Sequence, residues 1–134
     1  MDSILKELWI FSNDGRPLAE FCSGKECNPN NLIMGSFVSA IKIYSEHLIS
    51  GGLKNFILEN DKFTFVSLLQ GNLILVCRTS PKIKDKKIKK ICFDIVKIFE
   101  ELYSMEDLKN WHGNLSFFDN FKERLDEYIK IHNI

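Results

Sequence analysis

Three short apolar runs follow one another in mid-chain, over residues 53–59, 62–69 and 72–79. Each has the length of a strand. The joints Asn60-Asp61 and Gln70-Gly71 are polar pairs of the kind that close hairpins. Phe56, Ile57 and Leu58 are apolar in succession, and so are residues 73–77. Successive side chains of a strand point to opposite faces, so an unbroken apolar run needs cover on both. The pattern predicts one sheet with helices against each face.

Two more strands are predicted ahead of these, over 4–12 and 17–23, around the turn Asn13-Asp14-Gly15-Arg16. Glycine accepts the positive φ such a turn asks for. Leu8 and Ile10 face one way and Trp9 and Phe11 the other, which places this strand inside the sheet. The next, with Leu18 and Phe21 beside Glu20 and Cys22, suits an edge, where Pro17 is tolerated. Asn28-Pro29 reads as the cap and first turn of a helix. That helix is expected to run to about Ser50 and to stop at Gly51-Gly52.

Its apolar stripe is Ile33, Phe37, Ala40, Ile41, Tyr44 and Leu48, widened by Met34, Val38 and Ile49. One sheet face needs a narrower arc. The extra shoulder is therefore either deeply buried or meets a partner. After Ser80-Pro81 a second helix is predicted over 84–103, with Ile88, Ile91, Cys92, Ile95, Ile98, Phe99 and Leu102 in a strict stripe. A polar connection, 104–113, holds Leu108 and Trp111 and has room for one short helical turn. Ser116 followed by Asp119 resembles a capping box opening a third helix, which carries Phe118, Phe121, Leu125, Tyr128 and Ile129. With no repeat or linker in between, residues 1–134 are expected to form one domain.

Bulk composition changes this picture little. Hydrophobic content of 45% and charged content of 27% suit a soluble globular chain. A net charge of zero gives no global argument for nucleic acid. No apolar run approaches the roughly 20 residues needed to span a bilayer. Residues 1–7 lack the pattern of a secretory signal, so a cytoplasmic location is expected. Cys77 and Cys92 lie on apolar stripes; Cys22 and Cys27 flank a polar loop, and in a reducing compartment free thiols are expected there too.

Candidate chemistry is sparse. Cys22 and Cys27 with His47 supply at most three ligands where structural zinc wants four, so no metal site is assigned. Phosphate loops, dinucleotide glycine fingerprints and nucleophile elbows are absent from the sequence, and no catalytic residue or cofactor is assigned. Charge, by contrast, is sharply segregated. Lys82, Lys84, Lys86, Lys87, Lys89 and Lys90 against Asp85 give +5 over 82–90, while eight acids against three bases give −5 over 100–127. This is either a solvated helix face balanced by an acidic neighbour or a patch for an acidic partner or anionic lipid. Aromatic residues do not alternate with the lysines as a single-strand nucleic-acid platform requires. The strand over 53–59 is a candidate open edge for strand addition.

The order strand, strand, helix, strand, strand, strand, helix, helix resembles the longin domain. The run Leu8-Trp9-Ile10-Phe11-Ser12-Asn13-Asp14-Gly15-Arg16-Pro17-Leu18 looks like the opening hairpin of longin modules in vesicle-fusion exchange factors. Residues 62–80, KFTFVSLLQGNLILVCRTS, resemble that group's central meander. The resemblance covers about residues 4–103, the last helix fitting by position. It departs from the longin R-SNAREs, which add a coiled coil and usually an anchor, and from roadblock modules, which open on a helix. It implies an α+β fold, ββαβββαα: a five-stranded antiparallel sheet with one helix on one face and two on the other. In the family the first helix and third strand commonly meet a partner longin or a peptide.

The expectation is a non-catalytic interaction module that pairs with itself or with another longin or roadblock protein. It would serve small-GTPase regulation or vesicle-trafficking-like machinery. The expected interface is Met34, Val38, Ile41, Ile49, Phe56 and Leu58. Two alternatives stay open. One is a small-molecule sensor or enzyme on a profilin- or PAS-like scaffold, for which Tyr44, Cys77 and Arg78 are scattered candidates. The other is peripheral binding of anionic membrane through the lysine cluster.

Overall fold

A computed structural model describes residues 4–22, 38–41, 43–44, 54–58 and 60–134. Alternating and continuous apolar runs resolve into five strands: β1 (Leu5–Ser12), β2 (Pro17–Cys22), β3 (Lys54–Leu58), β4 (Asp61–Leu68) and β5 (Leu73–Thr79). They form one antiparallel sheet in the order β2-β1-β5-β4-β3. The longest apolar run, β5, takes the centre and is buried along its whole length. Polar β2 takes one edge and β3 the other.

Helices α1 (Asp85–Leu102), α2 (Met105–Lys109) and α3 (Asp119–His132) follow, with a 3-10 turn over Leu115–Phe118. Residues 38–41, 43 and 44 are helical; the expected helix start at Asn28-Pro29 and stop at Gly51-Gly52 lie outside the described residues. The sheet's two faces sort by strand period. Leu8, Ile10, Leu68, Leu75 and Cys77 face α1 and α3, meeting Ile88, Cys92, Ile95, Phe99, Phe121 and Leu125. Trp9, Phe11, Phe63, Phe65, Ile74 and Val76 face the other way, where Ile41 and Tyr44 cover them.

Two local expectations are corrected. Ser116 does not cap α3: it lies inside the 3-10 turn, Asn114 caps that turn through its side chain, and α3 begins from Phe118 with no side-chain cap. The tighter turn uses up the residues that a direct helix start would leave outside. A capping box forms instead at α2, where Ser104 and Asp107 satisfy each other's backbone N–H groups. Between β4 and β5 the turn takes four residues rather than two. Leu69 (φ 49°) and Gln70 (φ 58°) both adopt left-handed backbone ahead of Gly71.

Cys77 and Cys92 are free and buried, as expected. Cys22 is disulfide-bonded, which corrects the expectation of a free thiol there; Cys27 lies outside the described residues. No helix among the described residues is long and apolar enough to cross a membrane.

Candidate functional site

The face opposite α1 holds the expected docking elements. Gly15, at φ 93°, turns the chain from β1 to β2, and a Cβ there would sit 3.0 Å from Val38 Cγ1. Lack of a side chain lets the helical residues settle directly on this turn. Three positions on, Ile41 is fully enclosed by the sheet. It therefore corrects the interface expectation: it is core, because the helical period turns it from the rim into the slab. Val38 and Phe56 are half-buried. Met34 and Ile49 lie outside the described residues, as does the side chain of Leu58.

Aromatic contacts tie the helical residues to the edge strand. Tyr44 packs edge-on against Phe65, centroids 6.0 Å apart. Phe56 of β3 meets the same Phe65 edge-on at 5.3 Å and stacks on Phe63 at 5.5 Å. The helix and the sheet's β3 rim thus share one aromatic seat on β4. On the helical segment that carries Tyr44, Ile43 is 60% exposed; on β3, Ile57 is 63% exposed and points to the opposite face of the sheet from Phe56. Ile43 was not singled out from sequence, and Ile57 was read only within the apolar run of the candidate edge strand. The signal for Ile43 was an isoleucine two residues past a core position, which a helix carries about 200° round to its outer side. β3 has a ladder partner on its β4 side alone among the described strands.

At the other end of that face is a polar cluster that sequence reasoning missed. Glu7 and Arg78 are partners across the β1–β5 ladder. Arg78 Nη2 donates to Glu7 Oε1 at 2.5 Å and Nη1 to Asp61 Oδ2 at 3.0 Å, while Lys6 Nζ reaches Asp61 Oδ1 at 2.8 Å. Burial pushes Glu7 up to about 7; Arg78 opposes that rise and a hydrogen bond with Glu20 adds to it. With Glu7 and Arg78 both buried, the cluster reads as a clamp across three strands rather than a substrate site.

Other candidates stay apart. Cys77 points into the α1 face, whereas Tyr44 lies on the opposite one, so these residues of the sensor reading line no common pocket. The cleft between β1, β2 and α3, walled by Leu5, Leu8, Phe21, Leu125 and Ile129, holds about 40 Å³, and wider clefts of about 330, 420 and 350 Å³ along β2 and around Trp111 are lined by none of Tyr44, Cys77 and Arg78. No metal cluster occurs among the described residues. All six lysines of the basic segment are exposed.

No family model matches the sequence, and no curated protein matches it. Solved structures do. The gliding protein MglB from Thermus thermophilus superposes with a TM-score of 0.51 at 10% identity, over 65% of this chain and 69% of that one. The fold is longin-like. Myxococcus xanthus MglB aligns at 13% identity with a TM-score of 0.47, over 72% of this chain and 85% of that one. At such identities the likeness is one of fold.

Proposed function

We propose that this chain is a non-catalytic, cytoplasmic interaction module that pairs, as a homodimer or with a related longin or roadblock protein, through the helical residues around Val38 and the β3 rim. In this reading the pair serves a small GTPase, in a setting akin to vesicle trafficking. The observation that carries it is the exposed Ile43, on the helical segment whose Tyr44 packs on Phe65, together with β3, whose Phe56 packs on the same ring and which has a ladder partner on one side alone among the described strands. An open edge offers main-chain hydrogen bonds, and an exposed isoleucine adds apolar area. Phe56 and Val38 then form the half-buried floor, with Met34, Ile49 and Leu58 as further members.

The GTPase assignment rests on the longin resemblance and on the fold shared with MglB. The likeness to vesicle-fusion exchange factors rests on the hairpin and meander sequences.

Sedimentation at high micromolar concentration tests the pairing. Val38 touches the Gly15 turn, so a charge there threatens the monomer. Ile43→Asp is the cleaner probe: it should shift a dimer toward monomer with the melting temperature of the monomer unchanged. A native chain that is monomeric under these conditions, and that binds neither a longin nor a GTPase purified with it, would overturn the proposal.

A further inference from the structure

The outward face of α1 does not belong to the docking elements, and its composition is unusual. Phe93 is 44% exposed although it is a large aromatic on a helix whose opposite stripe is fully buried. At helical spacing it is flanked by Lys86, Lys89, Lys90 and Lys97, all exposed, and Lys89 Nζ lies 5.8 Å from its ring centroid. Lys82, Lys84 and Lys87 extend the field to the helix start. Among the described residues Lys90 alone of the six clustered lysines pairs with a carboxylate, Asp94 at 3.3 Å. Asp85, the one acid within the cluster, is engaged by Lys62 of β4 at 2.6 Å.

These charges work against the helix that bears them. Lys84 stands at the N-cap without a side-chain hydrogen bond, where serine or aspartate is preferred. Lys86 and Lys87 put positive charge at the positive end of the helix dipole, and Glu100 and Glu101 put negative charge at the negative end. A face selected for stability alone would be charged the other way round.

We propose that this face docks on an anionic phospholipid surface, with the lysines at the headgroups and Phe93 inserted at the interface. The shape and chemistry favour a bilayer over a protein. The face is convex rather than grooved, and it carries lysine, which protein interfaces disfavour, instead of arginine. An exposed aromatic within a lysine field on an amphipathic helix is the composition of interfacial membrane binders.

The test is sedimentation of the full chain with phosphatidylcholine vesicles, with or without roughly 30% phosphatidylserine. Binding should need the anionic lipid and fade between about 0.05 M and 0.5 M salt. Each lysine removed should cost about five-fold in partitioning, so K86Q/K87Q/K89Q should lose about a hundredfold. Phe93→Ala should lose several-fold on vesicles while its retention on heparin is unchanged, because it removes no charge. Lys84→Asp should raise the melting temperature and weaken vesicle binding together, a combination that a purely structural lysine could not give. Equal binding to neutral and anionic vesicles would overturn the proposal. So would lysine-dependent retention on heparin without binding to anionic vesicles.

Discussion

Glu7 is held between two opposed effects: burial favours its neutral form and Arg78 its charged form, with burial the larger. Its pKa rises on folding, from 4.5 toward about 7, so the folded state binds the extra proton. Stability from this group is therefore full below about pH 4.5 and is lost as pH rises through about 7. Denaturation of the native chain should show stability falling from about pH 5 to about pH 8, at a slope approaching about 1.4 kcal/mol per pH unit. Glu7→Gln should remove that slope. Arg78→Ala leaves Glu7 buried without its cation, a change that costs about 3–5 kcal/mol when the orphan is charged. The loss should be smaller near pH 5, where Glu7 can stay neutral. At Gly15 the constraint is steric: Gly15→Ala demands both a left-handed backbone and room that Val38 Cγ1 occupies. It should lower the urea midpoint by an amount equivalent to about 1–2 kcal/mol.

At the scale of elements, α1 shows how far periodicity alone reaches. Its stripe of Ile88, Ile91, Cys92, Ile95 and Phe99 is buried as the 3.6-residue repeat requires. Ile95→Ala, at a fully enclosed position, should cost about 2–5 kcal/mol in chemical denaturation, and Ile98→Ala, half-buried, distinctly less. The same logic made β1 an inner strand, since Trp9 and Phe11 need as much cover as Leu8 and Ile10. Where the reading failed, the cause was pairing over distance or backbone detail. Glu7 and Arg78 are 71 residues apart, so nothing local links them. Leu69 adopts left-handed backbone although leucine has no preference for it. Ser116 had a capping box's spacing, but the chain coiled into a 3-10 turn before the helix began. Ile41 belonged to the widened stripe, and the stripe alone could not tell its floor from its rim.

At the scale of the molecule, the two proposed surfaces lie on opposite sides of one sheet. Val38, Ile43 and Phe56 sit with the helical residues on one face, while Lys86, Lys89 and Phe93 project from the helix packed on the other. Net charge is zero, yet the basic start of α1 and the eight exposed acids of residues 100–127 make the molecule a strong dipole. A protein so charged turns its lysine end toward an anionic surface before contact. The sheet between the surfaces is rigidly packed, and neither surface borrows residues from the other, so the two activities should be separable. Ile43→Asp should shift the sedimentation of the free chain toward monomer while leaving the partitioning of each protomer into anionic vesicles nearly unchanged at high dilution. K86Q/K87Q/K89Q should do the reverse. Pairing through the face opposite α1 turns the two lysine faces of a pair away from each other, so avidity on one membrane is not expected and Ile43→Asp should leave vesicle binding unchanged at every protein concentration. If instead it weakened vesicle binding equally at all concentrations, the two faces would be coupled through the sheet and would not be independent sites.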